Sequence, residues 1–342
     1  MNRNFKLSLV ILLISLVALF MALDLLLGSV RIPLGESLRI LFGHSDHTSW
    51  SYILLQMRFP RALTAILTGS GLAVAGLMMQ TLFRNPLAGP YVLGISSGAS
   101  LGVAIYVMSF EIFGFIGWSG IYNFGQAVSA VLGAVIIFIL IILIAFRIRD
   151  SVSLLIVGIM FGSLTTAIVS ILQYFSRPEL VQKFIIWTLG SLSSSGWNQI
   201  LIMVCFILPG ILLSIVLIKP MNALLLGEMS AKATGVNLVR VRYLILTATS
   251  IIAGALTAFT GPIAFIGLVV PHISRMMFNT TNHRILLPAC ILTGAGLLLC
   301  CDIISQMPGK YIVLPINAIT ALFGAPVVIW IILGNRKMKT AF

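Results

Sequence analysis

The chain is a succession of apolar runs, several close to 20 residues long, separated by short polar breaks. Twenty residues of helix rise about 30 Å, the thickness of a bilayer's hydrocarbon core. With 59% hydrophobic and 8% charged residues among 342, the chain holds far less charge than the ~25% of an ordinary soluble domain. The runs do not alternate as barrel strands must, so the expected class is an all-α polytopic membrane protein. The net charge of +13 comes from basic residues at the ends of the runs, where they set topology and meet lipid headgroups. It does not point to nucleic acid.

Hydropathy windows place ten transmembrane helices at about 7–28, 62–83, 91–109, 121–146, 151–174, 198–218, 242–260, 262–278, 285–302 and 315–334. Residues 1–342 thus form a single transmembrane domain. The first run lacks a convincing small-residue cleavage site and is expected to be retained as a span rather than removed as a signal peptide. Only Gly261-Pro262 divides the seventh run from the eighth, and one kinked span there would invert everything after it. Ten spans with both termini in the cytoplasm leave Arg31, Arg39, Arg58, Arg61, Arg177, Lys183 and Lys310 as the only Lys or Arg outside, of 21 in all, as the positive-inside rule requires. The merged alternative spoils that asymmetry.

The stretch from Arg58 to Gly102 carries the most information. Arg58 and Arg61 flank Phe59-Pro60 at the expected start of the second span, on the outer side, placed to receive acidic groups of a partner or to snorkel to the interface. Arg84-Asn85-Pro86-Leu87 then breaks the chain at its inner end, and irregular backbone at that depth must be buried in protein or line a cavity. Gly94, Gly98 and Gly102 follow at four-residue spacing, a helix-packing stripe, with Ser96, Ser97 and Ser100 as hydroxyls available to a passing substrate. The inner loop 219–241 reads as two short helices, one ending at Gly227 and the other stopped by Gly235. Its sparse charge suits a segment that enters a groove on a soluble partner.

Several chemistries are excluded or left without support. The near-span acids, Asp24, Glu111 and Asp302, sit towards the outer ends, whereas ion-coupled carriers use ionisable groups near the midplane. The chain has no GxxxxGK[ST] and no HExxH, so it has no P-loop and no HExxH metal-hydrolase signature. His272 lacks ligand-spaced partners and reads as structural, no metal site is expected, and Cys205, Cys290, Cys300 and Cys301 read as packing residues. Energy for transport must then come from another polypeptide, or transport is passive, as in a channel or secondary transporter.

The segments RFPR (58–61), QTLFRNPLAGPYVLGISSGASLG (80–102), LGEMSAKATGV (226–236), GPIAFIGLVVPHISR (261–275) and ALFGAPVVIWIIL (321–333) together resemble the FecCD family, the permease subunits of ABC importers for iron-siderophores, haem and vitamin B12. The resemblance implies a ten-helix type II importer permease in a bacterial inner membrane. It would work as a homo- or heterodimer with a second permease subunit, two cytoplasmic ATPases that bind ATP and Mg, and an extracytoplasmic substrate-binding protein. The permease would bind no cofactor and catalyse no reaction, and an iron complex is the expected cargo, with a corrinoid as the alternative. By the same resemblance Arg58 and Arg61 meet the binding protein. Leu226, Gly227, Glu228, Ala231, Lys232 and Gly235 couple to the ATPase, and Asn85, Leu87 and Ser151 narrow the inner gate. One departure stands out. Where the family has Asp-x-x-Ala-Arg and then Glu-x-Pro-x-Gly, this chain has Asp302-Ile-Ile-Ser-Gln306 and Val313-Leu-Pro315-Ile-Asn317. A third outer arginine is lost, and Lys310 is the candidate to replace its charge.

Overall fold

A computed structural model describes residues 3–28, 30, 32–41, 43, 48–109, 122–148, 151–307 and 313–334. Among them every regular element is helical. In chain order these are α1 (Arg3–Leu26), α2 (Leu34–Leu41), α3 (Thr48–Tyr52), α4 (Phe59–Leu82), α5 (Ile95–Ser109), α6 (Tyr122–Ala145), α7 (Ser151–Phe175) and α8 (Pro178–Thr188). They continue as α9 (Trp197–Val216), α10 (Ile218–Leu224), α11 (Glu228–Ala233), α12 (Leu238–Thr260), α13 (Ile266–Phe278), α14 (His283–Gln306) and α15 (Ile316–Gly334). Seven helical stretches among the described residues are long and apolar enough to cross a membrane, while α5, α13 and α15 are shorter apolar helices. At 13 residues, α13 rises only about 20 Å.

One helix is the central post. The stretch containing α4 is 83% buried, against 17% for α1, and α14, α12, α13 and α9 pack around it. Its sequence explains why. Gly69, Ala73 and Gly76 leave one side almost bare of side chains towards α13 and α14, and Gly71 does the same on the opposite side towards α12, so neighbouring helices can close in. A Cβ on Gly76 would stand 1.6 Å from the carbonyl oxygen of Gly267 on α13, and one on Gly69 2.2 Å from that of Gly294 on α14. No side chain can be inserted at either contact without separating the helices.

The helix through Phe59-Pro60 starts earlier than the sequence suggested. It runs from Ser49 to Leu82, with a π-helical turn over Ile53–Arg58 directly before α4. In the i→i+5 register of that turn the carbonyl of Leu55 would look to residue 60, and proline has no N–H to give. The indole Nε1 of Trp197 donates to that carbonyl instead, at 3.1 Å. The π turn therefore absorbs a proline that would otherwise break the helix. The polar pieces expected as connecting loops also contain helices, α2 and α3 before the π turn and α8 before α9.

The break between α12 and α13 is real, which removes the single-kinked-helix alternative. Gly261 (φ +71°) and Phe265 (φ +68°) turn the backbone out of helix, and its amides find partners elsewhere, as buried irregular backbone must. Ile263 N–H donates to Tyr91 Oη (3.3 Å) and Ala264 N–H to Asn317 Oδ1 (3.0 Å), while Ser191 N–H donates to the Thr260 carbonyl (2.9 Å). Asn317, read in the sequence as a missing glycine, is thus a side-chain clamp from α15 onto the break.

Candidate functional site

The chemistry-bearing residues gather at the two ends of α4. At the Arg58 end lies a charged cluster. Arg61 forks onto Asp302 of α14, Nε to Oδ2 at 2.8 Å and Nη2 to Oδ1 at 2.6 Å, with Ser305 Oγ 3.1 Å from Nη2. Gln306 Nε2 donates to Asp24 of α1 (2.8 Å) and, more weakly, to Asp302 (3.3 Å). The residue that takes the place of the lost arginine therefore bridges two buried carboxyl groups by its amide. Asp24 and Asp302 do sit at this end, as the sequence suggested. Glu111 and Lys310 lie outside the described residues.

Arg58 neither projects outward nor snorkels. It is 7% exposed, and its guanidinium donates to the carbonyls of Leu25 (2.8 Å), Leu26 (3.1 Å) and Val30. The last turn of a helix leaves carbonyls without partners, and a guanidinium fork satisfies several at once while complementing the negative end of the dipole. Arg58 is a C-terminal cap for α1, supplied from 32 residues away in sequence. Arg61 is committed to Asp302, so both guanidinium groups have partners within the chain.

At the other end, α4 stops in a Schellman-like turn. Asn85 N–H returns to the Gln80 carbonyl (3.2 Å) and Arg84 N–H to that of Thr81 (3.3 Å), with Arg84 at φ +48° where glycine is usual. Asn85 Oδ1 accepts from Leu87 N–H at 2.9 Å, a local turn that leaves Leu87 exposed. His272 Nε2 lies 3.0 Å from the Pro86 carbonyl, so this histidine holds the break from α13, in keeping with a structural role. Gln80, buried beneath the turn, donates to the Leu268 carbonyl (3.0 Å) and accepts from Arg275 (2.6 Å). Ser151 opens α7, and its side chain is outside the described set.

The glycine stripe divides its work. Gly98 and Gly102 lie against α6, where added Cβ atoms would come 2.6 Å from the Gly133 carbonyl oxygen and 2.0 Å from that of Ser129. Gly94 instead ends the 3₁₀ turn Pro90–Leu93 at φ +71° and faces Gly158 of α7. Ser96 is buried and not available as a surface hydroxyl. Ser97 and Ser100 are half-buried, and the more exposed hydroxyls of α7 were not singled out in the sequence. Ser163, Thr166 and Ser170 of α7 are exposed, each bonded to the carbonyl four residues back. Their three- and four-residue spacing in an otherwise apolar helix was the available signal.

The 219–241 loop folds as two short helices. α10 follows α9 almost without interruption, and Gly227 (φ +102°) and Gly235 (φ +82°) bracket α11. Ala231 is buried, which seats α11 on the bundle, while Leu226 and Met229 are 71% and 87% exposed. Glu228 lies 3.7 Å from Arg242 of α12, and Arg242 also donates to the Ile148 carbonyl (3.3 Å). An open cleft of about 590 Å³ runs between α11 and α12, lined by Glu228, Lys232, Gly235, Val239 and Arg242.

Residues 14–334 match the FecCD transport family. The chain is 37% identical over 282 residues to the vitamin B12 import system permease protein BtuC of Escherichia coli O9:H4 (strain HS), covering 82% of this chain and 84% of that protein. It is equally similar to the BtuC of Shigella boydii serotype 18. Among solved structures, a metal-chelate type ABC transporter in an inward-facing conformation superposes with a TM-score of 0.82 at 29% identity, over 96% of this chain and 99% of the other. PsaBC from Streptococcus pneumoniae, in complex with Fab, shares the fold at a TM-score of 0.55 and 16% identity, over 89% and 98%.

Proposed function

The chain belongs to the FecCD transport family, and from that premise we propose that it is the membrane subunit of a binding-protein-dependent ABC importer for a large metal chelate. The observation that carries the reading is the loop around α11. A buried alanine seats a short helix, while Met229 within it and Leu226 just before it, both apolar, are 87% and 71% exposed. An apolar pair held out on a polar loop between spans suits insertion into a groove on a soluble protein, and a cytoplasmic ATPase dimer is that protein here. ATP and Mg bind there, and the permease itself makes and breaks no covalent bond.

The protein resides in the bacterial inner membrane with both termini in the cytoplasm and pairs with a second permease subunit. The substrate-binding protein delivers cargo at the Arg58–Arg61 end. ATP-driven closure of the ATPases moves the α11 loops, and the helix bundles rock so that the path opens first to one side and then to the other. The exposed hydroxyl stripe of α7 offers weak polar contacts along that path, and Asn85, Leu87 and Ser151 mark its inner narrowing. Resemblance to the vitamin B12 permeases puts a corrinoid first among cargoes to test. An iron complex, ferric siderophore or haem, is the second reading, supported by similarity to the metal-chelate type transporter.

The test is uptake by cells expressing the chain with its ATPase and binding protein, given labelled cyanocobalamin, ferric siderophore and haem in parallel. Uptake of one cargo that is lost in Glu228→Arg, with normal membrane insertion, supports the proposal and names the cargo. Uptake that survives removal of the ATPase overturns it in favour of a secondary carrier.

A further inference from the structure

Asn222, on α10, makes an unusual set of contacts. Its Oδ1 accepts from the backbone N–H of His283 (2.9 Å) and lies 2.7 Å from His283 Nδ1, while its Nδ2 donates to Asn282 Oδ1 (3.1 Å). Asn282 is itself the N-cap of α14, accepting from Arg284 N–H at 2.9 Å. One side chain from the loop therefore caps the start of α14 from outside and also holds the residue that caps it from within.

The chemistry fixes the orientation of the Asn222 amide and the tautomer of His283. A backbone N–H can only donate, so the atom facing it is the amide oxygen of Asn222. That oxygen can only accept, so Nδ1 of His283 carries a proton. In the neutral ring Nε2 is then left as an acceptor, 2.8 Å from Thr81 Oγ1, and the single hydroxyl proton of Thr81 serves either Nε2 or the Leu77 carbonyl 2.9 Å away, not both at once. Thr81 and His283 are almost fully buried, so water does not compete for these bonds. The chain Asn222–His283–Thr81 runs without a gap from α10, through the head of α14, to the last turn of α4.

Both of its ends matter. α10 leads within three residues to α11, and Thr81 lies three residues before the Arg84–Leu87 break. The Arg84 guanidinium also lies on the side of Gly227, 3.8 Å from where a Cβ would stand. We infer that Asn222 is a positioning residue for coupling, the link through which displacement of the α11 loop reaches the end of α4 and the break beneath it. This rests on the proposed ABC-importer function. The idea requires rigid, directional contacts rather than apolar packing, because a packed surface can slide where a capped helix end with fixed donors and acceptors cannot.

The experiment uses the assembly of this chain with its ATPase and binding protein in proteoliposomes, with labelled cyanocobalamin and a ferric hydroxamate as probes, measuring cargo imported per ATP hydrolysed. Asn222→Ala is expected to lower that ratio about tenfold, within the range of typical coupling free energies, while ATP hydrolysis continues. Thr81→Val, which breaks the far end of the link, is expected to do the same, and Asn222→Asp, which keeps the acceptor facing His283 but loses the donor to Asn282 Oδ1, is expected to restore only part of the ratio. If Asn222→Ala does not assemble, Thr81→Val decides the matter. Unchanged ratios in assembled Asn222→Ala and Thr81→Val would overturn the link while leaving the importer reading intact. If the unaltered assembly imports neither probe in response to ATP, the importer reading fails and this inference with it.

Discussion

Arg61 and Asp302, 241 residues apart in sequence, form a two-pronged ion pair at 2.6 and 2.8 Å that fastens α4 to α14. The carboxylate is almost completely buried and the guanidinium nearly so. Removing one partner of such a pair strands the other charge away from water, at a typical cost of about 3–5 kcal/mol. Asp302→Ala and Arg61→Ala are each expected to destabilise the protein on that scale in thermal unfolding. The double variant should lose well under the sum, since both single changes break the same interaction. Strict additivity would mean that the two side chains act independently.

Arg58 leads to a different expectation from the one its sequence position suggested. Its guanidinium is committed to three carbonyls at the end of α1, so its loss acts on that helix end. Arg58→Gln is expected to lower stability by roughly 1–3 kcal/mol, the usual cost of unpartnered buried acceptors. Affinity for the binding protein, measured on folded protein in nanodiscs, should change by less than about threefold, under 1 kcal/mol. A large loss of affinity at unchanged stability would return Arg58 to a docking role.

These two arginines show where sequence reasoning stops. The class of fold, the break at Arg84–Leu87, the separation of α12 from α13 and the two short helices of the inner loop all follow from local signals: run length, a proline, a glycine that takes positive φ. What a charged side chain faces depends on a neighbour hundreds of residues away. No local pattern says that Gln306 bridges Asp24 and Asp302, or that Asn317 caps Ala264. The π turn was hidden for a related reason, because its stability depends on Trp197 supplying the hydrogen bond that Pro60 cannot. A proline following a basic residue reads as a helix start unless that distant donor is known.

The contact between His272 and the Pro86 carbonyl (3.0 Å) ties the break to α13, and a single hydrogen bond of this kind contributes about 1 kcal/mol. His272→Ala is expected to destabilise modestly and to raise the reactivity of a cysteine placed at position 87, read by labelling with a membrane-impermeant maleimide. His272→Gln can still reach the carbonyl with an amide donor and should react close to the unaltered background. Equal labelling in all three proteins would show that the break is held by other contacts.

Around α11 the charged and the apolar residues carry opposite expectations. Glu228 and Arg242 stand 3.7 Å apart with Glu228 half exposed, and exposed pairs contribute about 0–1 kcal/mol, so Glu228→Gln should leave the melting temperature within about 2 °C. Leu226 and Met229 have little of their surface buried in this chain, so Leu226→Asp and Met229→Asp should leave the melting temperature equally unchanged. Their place is in the proposed groove on the ATPase, where a carboxylate would lose its hydration without gaining a partner. Association with the ATPase, measured by co-purification and by stimulated ATP hydrolysis, is therefore expected to fall at least about tenfold, the equivalent of 1.4 kcal/mol. Glu228→Arg adds reversed charge at the same surface and repulsion from Arg242. Normal association in both aspartate variants would remove the loop from the interface and with it the strongest support for an ATP-driven mechanism.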